Sequence, residues 1–324
     1  MHVLIGHVTF DGMTHHMTSL DGTPISRFAF GTMQFGGAAD EPASQAMFEA
    51  SHAAGITHFD TAHLYTDGAS ETLLGRFAAP LRDRLLIATK VGYAGGASKA
   101  NITQTFDISR KRLGMDMVDI LYLHRFDPET DLHETLETFA DLKAAGKIRY
   151  VGLSNFAAWQ VMKAVQIAAG FDLRIDIFQP MYNLVKRQAE VEILPMCADQ
   201  NITCAPYSPL GGGLLTGKYA IGATGRLVEN DHYAKRYGRD WMHDAAKALA
   251  EVAAKEGTDA ATLAVAWAAA HPSAPTPIVS ARSAAQLAPS LAAISYSMTP
   301  ELYARLAALS PTPPPATDRI EEQA

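Results

Sequence analysis

The stretch MVDILYLHRFDPETDLHETLETFADLKAAGKIRYVGLSN, residues 117–155, contains a complete strand–helix–strand pattern. Apolar runs at 117–124 and 150–155 have the length of buried strands. Between them lies a helical pattern that Asp131 can cap and Gly146 can end, with Glu134 at the capping-box position. Strands joined by a helix of this length lie parallel in a sheet, so the stretch predicts one βα unit and the strand that follows it.

The same alternation repeats along the whole chain. The runs predicted as strands are 28–33, 57–62, 85–91, 117–124, 150–155, 175–182, 202–209 and 275–281. Eight strands alternating with helices close most naturally into a (β/α)8 TIM barrel. The length of 324 residues would also suit two average domains. An open doubly wound sheet is the alternative, but it needs a Gly-x-Gly-x-x-Gly turn after the first strand, which this sequence lacks. We therefore predict an α/β fold with residues 17–310 in a single barrel.

Four segments lie outside the regular alternation. Residues 17–28 read as a β-hairpin around Asp21-Gly22, which would plug the bottom of the barrel. Residues 211–237, after the seventh strand, form a long Gly-rich loop of the kind that covers binding sites. Residues 1–16 are expected to be a flexible extension and the Pro-rich residues 311–324 a disordered tail.

Composition excludes several classes of protein. The chain is 48% hydrophobic and 19% charged, as in globular proteins with a large core. Lys and Arg number 27 against 34 Asp and Glu, and this net charge of −7 argues against a nucleic-acid partner. No apolar run reaches the roughly 18 residues of a membrane span, and no signal peptide is recognisable. Two cysteines, Cys197 and Cys204, indicate reduced thiols and a cytoplasmic location.

Polar side chains stand at the carboxyl ends of several predicted strands. In a barrel these ends meet on one face, where active-site groups project. The residues there are Asp60, Lys90, His124, Ser154-Asn155, Gln179 and Tyr207, with Tyr65 five residues beyond Asp60. Each alone has an ordinary explanation as a helix cap, a solvated charge or a satisfied polar group. Together they predict a catalytic site without a metal, because neither a cysteine cluster nor a His-x-x-x-His pair is present.

This set of side chains suits proton delivery to a carbonyl group. A tyrosine has a pKa of about 10, and a neighbouring ammonium such as that of Lys90 favours its phenolate. We expect Asp60 to keep Lys90 charged and oriented, and His124 to donate a hydrogen bond to the carbonyl oxygen. No side chain supplies a hydride, so this chemistry requires a nicotinamide cofactor.

Several separate motifs resemble the aldo-keto reductase family, in the family's order, from about residue 17 to 310. They are Gly31-Thr32-Met33, Phe59-Asp60-Thr61-Ala62, Tyr65, Gly68-Ala69-Ser70-Glu71, Thr89-Lys90, Leu121-Tyr122-Leu123-His124, Ser154-Asn155-Phe156, Gln179-Pro180 and Tyr207-Ser208-Pro209-Leu210-Gly211-Gly212-Gly213-Leu214. The resemblance is to bacterial, NADPH-dependent members and implies reversible reduction of an aldehyde or ketone, a sugar being one example. It makes Asp60, Tyr65, Lys90 and His124 the catalytic tetrad, with Tyr65 the general acid.

The resemblance also implies how NADP(H) is bound. Ser154, Asn155 and Gln179 match positions that bind the nicotinamide carboxamide, and Tyr207 the aromatic ring that stacks on the nicotinamide. The pyrophosphate would lie against Ser208 to Gly213, where glycine lets the backbone come close. The implied cofactor contacts are Gly31, Thr32, Met33, Asp60, Ser154, Asn155, Gln179, Tyr207, Ser208, Pro209, Leu210, Gly211, Gly213, Lys218, Arg226, Ser280, Ala281, Arg282, Gln286 and Ser290.

The chain departs from the family pattern at two places. Pro289-Ser290 stands where many members have Glu-Asn at the adenine, and Met33 replaces a tryptophan, which predicts a more adaptable pocket wall. Met33, Tyr65, His124 and Arg125 are the expected substrate contacts. Arg125, next to His124, indicates either a polar or anionic group on the substrate or an ordinary ion pair.

Two other functions compete with carbonyl reduction. One is an NADPH-binding regulatory subunit that acts on a partner protein, against which the intact tetrad argues. The other is a cofactor-free isomerase with Asp60 or His124 as the base, which leaves the Gly-rich loop and Tyr207 without a role.

Overall fold

The computed structural model describes residues 17–221, 224–319 and 321. Within them the chain forms eight parallel strands: β1 Ala29–Gly31, β2 His58–Asp60, β3 Leu86–Val91, β4 Val118–Leu123, β5 Ile148–Ser154, β6 Ile177–Gln179, β7 Thr203–Cys204 and β8 Ile278–Val279. Their hydrogen-bonded order is β7-β6-β5-β4-β3-β2-β1-β8. Neighbours in space are therefore neighbours in sequence, apart from β1 and β8.

Two backbone hydrogen bonds close this sheet on itself. The Thr276 N–H donates to the Cys204 carbonyl at 2.7 Å, and the Ile278 N–H donates to the Pro206 carbonyl at 2.9 Å. The chain around β8 is thus paired on one side with β1 and on the other with the segment around β7. The predicted (β/α)8 barrel is confirmed, and the open doubly wound alternative is wrong.

The strands alternate with helices that cover the outside of the barrel. The α-helices of the described residues are α1 Glu41–Ala53, α2 Ala69–Ala78, α3 Lys99–Leu113, α4 Leu132–Ala144, α5 Ala158–Ala169, α6 Ile193–Asp199, α7 Arg226–Glu229, α8 Asp231–Tyr237, α9 Asp240–Lys255, α10 Ala260–Ala269, α11 Ala284–Ala292 and α12 Pro300–Ala307. Short 3₁₀ helices lie at Tyr65–Gly68, Ala79–Arg84, Gln188–Glu190, Gly211–Thr216 and Lys218–Ile221. None of the helices in the described part of the chain combines the length and the apolar character that crossing a membrane requires.

The predicted ends of α4 are right in part. Asp131 caps the helix, accepting a hydrogen bond from the His133 N–H at 3.0 Å, and Gly146 adopts a positive φ of 67° after its last turn. The expected capping box is wrong. The Glu134 carboxylate instead accepts from the Lys99 N–H at 2.8 Å, and so satisfies a donor at the start of the neighbouring helix α3.

The predicted hairpin closes the bottom of the barrel. Thr18 and Pro24 pair in antiparallel fashion, and Gly22 takes a φ of +90° in the turn between them. Met17 and Ile25 project into the barrel interior, where they pack with the inward-facing apolar side chains of the strands. The expected extension 1–16 lies outside the described residues, and its flexibility stays a prediction.

The loop after β7 lies on the face of the barrel opposite to the hairpin. It carries two of the 3₁₀ helices, at Gly211–Thr216 and Lys218–Ile221, followed by α7 and α8. We call residues 211–237 the lid segment. It lies at the carboxyl ends of the strands, where a barrel places its binding sites.

Candidate active site

Three strands and one 3₁₀ helix bring the four predicted tetrad residues together. Asp60 ends β2, Lys90 lies in β3, and His124 follows β4 directly. Tyr65 begins the 3₁₀ helix that leads from β2 into α2. Adjacent parallel strands in register place Asp60 beside Ala88 and Lys90 beside Tyr122, so the side chains meet at one end of the barrel.

Lys90 is the centre of this group. It is fully buried, and its Nζ forms an ion pair with the Asp60 Oδ1. The same Nζ donates to the Thr61 carbonyl at 2.8 Å and to the Tyr65 hydroxyl at 3.3 Å. The second Asp60 oxygen accepts from the Gln179 Nε2 at 3.0 Å. The ammonium is therefore fixed at hydrogen-bonding distance from the phenol oxygen.

Burial and charge act in opposite directions on these groups. Burial disfavours a charged Lys90, but the carboxylate of Asp60 and the hydroxyl of Tyr65 outweigh burial and raise its pKa. Burial also raises the pKa of Tyr65, and this effect exceeds the lowering effect of Lys90. The sequence predicted the lowering effect but not the net direction. Tyr65 is therefore protonated at neutral pH, and Lys90 is charged.

His124 carries no charge at neutral pH. Burial, then the positive charges of Lys90 and Arg125, lower its pKa to about 3. Its ring contacts the edge of Tyr65 at a centroid distance of 6.0 Å and lies 5.0 Å from the ring of Tyr93. Its Nδ1 is buried and has no hydrogen-bond partner among the described residues. An imidazole in this state can donate one hydrogen bond without carrying a charge.

A second polar group lies beside the tetrad. Asn155, with a left-handed φ of 58°, donates to the His124 carbonyl at 2.9 Å and accepts from the Tyr207 hydroxyl at 2.7 Å. The Ser154 hydroxyl donates to the Gln179 carbonyl at 3.0 Å. These bonds fix the Tyr207 ring above the strand ends, and burial raises the pKa of that residue to about 12.

The backbone has unusual φ angles at Ser208 and at the first residues of the lid segment. Ser208, Gly211, Gly212 and Gly213 have φ values of 59°, 57°, 66° and 98°. A Cβ on Gly212 would lie 2.6 Å from the ring of Tyr233, so a larger residue does not fit there. Gly212 and Gly213 line the cavity with backbone and no side chain.

One cavity of about 980 Å³ joins these groups. Most predicted site residues line it: Gly31, Met33, Asp60, Tyr65, His124, Arg125, Asn155, Gln179, Tyr207, Ser208, Pro209, Leu210, Gly213, Lys218, Ser280, Ala281, Arg282 and Gln286. Lys90 lies behind Asp60 and Tyr65. The backbone of Arg226 is described but its side chain is not, so its phosphate contact stays a prediction.

Four predicted cofactor residues lie behind the cavity wall. Thr32 and Ser154 are buried and bonded to the backbone of neighbouring strands, and Gly211 is buried next to Tyr237. Ser290 is 1% exposed, because it faces the core side of α11. Its neighbour Pro289 lines the cavity in its place.

The cavity also has lining residues that the motifs did not indicate. They are Leu64, Tyr93, Phe126, Thr216, Thr224, Tyr233, Arg236, Asp259, Ala261, Ile278, Val279 and Pro289. Tyr233 and Arg236 come from α8, three residues apart on one helix face. Their only sequence signal is a short amphipathic run inside the lid segment.

Comparison with known proteins gives a consistent family. A sequence model of the Aldo/keto reductase family matches residues 27–311. A probable voltage-gated potassium channel subunit beta from Oryza sativa subsp. japonica is 31% identical over 317 residues, covering 92% of this chain and 96% of the relative. The uncharacterized oxidoreductase YrpG of Bacillus subtilis (strain 168) is 30% identical over 90% of this chain and 94% of its own length. The L-glyceraldehyde 3-phosphate reductase of Escherichia coli (strain K12) is 32% identical over 66% of this chain and 67% of the relative.

Proposed function

This chain belongs to the aldo/keto reductase family of oxidoreductases, and we propose that it uses NADPH to reduce an aldehyde or ketone reversibly to an alcohol, with Tyr65 as the general acid. The observation that carries the proposal is the position of Lys90. Its ammonium bonds Asp60 on one side and the Tyr65 hydroxyl on the other, next to a neutral His124 in the wall of a large cavity.

The residues around the cavity fit NADP(H). Gly212 and Gly213, whose φ angles are positive, line the cavity without a side chain, so a pyrophosphate can approach this backbone closely. The Ser280 hydroxyl in the wall is buried and has no hydrogen-bond partner among the described residues. Lys218 lines the same wall as Arg282, whose Nη2 bonds Glu229 at 3.0 Å. Ser154, Asn155, Gln179 and Tyr207 are the proposed nicotinamide contacts, and Arg282 is the proposed 2′-phosphate contact.

The bound cofactor supplies the hydride that no side chain can provide. Tyr65 donates the proton to the carbonyl oxygen, because its raised pKa keeps it protonated in the resting site. Lys90 stabilises the phenolate that remains, and Asp60 holds the ammonium in place. Neutral His124 donates a hydrogen bond to the same carbonyl oxygen and so orients it. In the reverse direction the Tyr65 phenolate accepts the proton.

The decisive experiment compares the wild type with Tyr65→Phe. NADPH consumption is followed by absorbance against a panel of aldehydes and ketones. We expect the variant to lose about 10²–10⁴ in kcat, the usual contribution of a positioned proton donor. NADPH binding, measured by quenching of protein fluorescence, should be retained. Equal turnover by the two proteins would contradict the role of Tyr65.

The second candidate function is an NADPH-binding subunit that acts on a protein partner. The name of the rice relative, a probable channel subunit, is the observation that favours it. Tight NADPH binding by a wild-type protein that reduces no carbonyl in the panel would favour this alternative. In either case we expect the protein to act in the cytoplasm.

A further inference from the structure

The positively charged side chains in and behind the cavity wall differ in whether they form ion pairs. Lys90 is neutralised by Asp60, and Arg282 is paired with Glu229. Arg125 and Arg236 also line the cavity, but neither forms an ion pair with any described residue. Arg125 is exposed and Arg236 is half-buried, so both guanidinium groups remain available to a ligand.

Arg125 is held in place without being neutralised. Its guanidinium lies 4.6 Å from the centroid of the Tyr93 ring, and that ring lies 5.0 Å from the ring of His124. The nearby Asp127 accepts from the Ala97 N–H at 2.8 Å and from the Thr130 hydroxyl at 2.7 Å. The bond from Thr130 is the main cause that lowers the pKa of Asp127, and the charge of Arg125 adds only a smaller effect without an ion pair. The ordinary ion pair that the sequence left open for Arg125 is therefore absent among the described residues.

Arg236 approaches from the lid segment. Its guanidinium lies 5.3 Å from the ring of Tyr233, and its charge acts on Tyr207, whose pKa it lowers against the effect of burial. Lys186 lies nearby, and burial followed by the charges of Arg239 and Arg236 lowers the pKa of Lys186. The charges that act on Lys186 are those of Arg239 and Arg236, with no carboxylate of the described residues among them.

We infer that the substrate is an anionic carbonyl compound, with a carboxylate or phosphate group that Arg125 binds and that Arg236 attracts from the lid segment. The inference rests on the proposed function, since it places the reacting carbonyl at Tyr65 and His124. Arg125 follows His124 directly in the chain, so an anion beside it lies close to the carbonyl carbon. Lys218 and Arg282, which lie in the segments that follow β7 and β8, remain for the cofactor phosphates. A guanidinium binds both anions through two parallel hydrogen bonds.

The test uses substrate pairs that differ only in charge. The value of kcat/KM is measured for 5-oxopentanoate and its methyl ester, and separately for glyceraldehyde 3-phosphate and glyceraldehyde. We expect the wild type to prefer at least one anion by about tenfold, as one charged hydrogen-bonded contact provides. Arg125→Met should remove that preference through KM of the anion, with a much smaller change for the neutral partner. Arg125→Lys should restore part of it, and Arg236→Met should reduce it without changing KM for NADPH.

A matched control removes the same charge elsewhere. Arg84 is exposed in the 3₁₀ helix Ala79–Arg84, before β3 and therefore at the opposite end of the barrel. Arg84→Met should keep the wild-type preference. A wild type with equal kcat/KM for the charged and neutral members of both pairs would overturn the inference, as would an Arg125→Met variant that retains the preference.

A binding measurement separates failure of this inference from failure of the proposed function. Pentanoate, which cannot be reduced, is titrated calorimetrically into the NADPH-saturated protein. Binding that Arg125→Met weakens about tenfold supports the anion site even if no carbonyl is turned over, and in that case only the proposed reaction fails. Equal pentanoate affinity in the two proteins counts against the anion site whatever the activity.

Discussion

The two ends of the barrel use charged side chains in opposite ways. At the bottom, Asp119 is fully buried and bonded by Arg82 at 2.7 Å, by Arg149 at 3.0 Å and by the Ile87 N–H at 2.9 Å. Arg149 also donates to the Thr18 carbonyl of the hairpin at 2.7 Å. In this cluster each charged group has a partner of the opposite sign, so the cluster at the bottom face stabilises the fold.

The top face leaves polar groups available. The Nδ1 of His124 and the hydroxyl of Ser280 lack partners among the described residues, and Arg125 and Arg236 lack ion-pair partners there. Gly212 and Gly213 hold backbone conformations that other residues rarely adopt. Unsatisfied groups cost stability, and they persist where a ligand can satisfy them. The contrast is between paired charges that stabilise the fold at the bottom of the barrel and polar groups that remain available at the top.

The largest stability effect should follow from breaking the bottom cluster. Asp119→Asn removes the carboxylate charge and leaves two partly buried arginines unneutralised. We expect a loss of about 3 kcal/mol of unfolding free energy, measured by chemical denaturation, with kcat unchanged. Asp141→Asn is the control, because its ion pair with Lys99 is more than half exposed and should contribute little. A fall in kcat that exceeds the unfolded fraction would refute the separation of the two faces.

His58, in β2, provides a test of stability that depends on pH. It is buried, and neither ring nitrogen has a partner among the described residues, so burial lowers its pKa to about 4. The unfolded chain, with a histidine pKa of about 6.5, binds the proton more readily. Stability should therefore fall by about 3 kcal/mol as the pH decreases from about 6.5 to about 4.

The variant His58→Asn should flatten this pH profile of unfolding free energy. It should not abolish the slope, because His124, whose pKa is lowered to about 3, contributes in the same direction. An unchanged slope in the variant would show that His58 does not titrate in the way its burial implies. Denaturation curves at several pH values measure the slope independently of any constant cost of the substitution.

The smallest effect should come from the hairpin. Tyr150→Phe removes the hydroxyl that accepts from the Thr18 N–H at 3.0 Å, which should cost about 1 kcal/mol of stability. KM and kcat should not change. Tyr296→Phe serves as the comparison, since no hydrogen bond is found for its hydroxyl among the described residues. If both substitutions have the same effect on stability, the hairpin bond contributes nothing.

The sequence predicted the positions of the four proposed tetrad residues because barrel topology fixes them. Asp60, Lys90 and His124 stand at the ends of β2, β3 and β4, and parallel pairing brings such residues together whatever the loops do. The net pKa of Tyr65 was not predictable, since the degree of burial depends on the packed structure. The same holds for Glu134, which bonds α3 instead of its own helix because of a neighbour 35 residues away.

The lid segment was the part of the site that was hardest to predict from the sequence. Its length and glycines predicted a functional loop, but Tyr233 and Arg236 acquire their place only when α8 folds over Gly212. Ser290 shows the opposite difficulty, in which a recognisable motif position does not reveal that the side chain is buried. Its motif position suggested a cofactor contact, while the rotation of α11 turns it toward the core and presents Pro289 to the cavity.

The most direct test of the separation between the two faces is one comparison of kcat at a temperature where all variants are folded. We expect Tyr65→Phe to lose about 10²–10⁴ in kcat at wild-type stability, whereas Asp119→Asn should keep the wild-type kcat despite its lower stability. Retention of wild-type kcat by Tyr65→Phe would contradict the assignment of the chemistry to the top face.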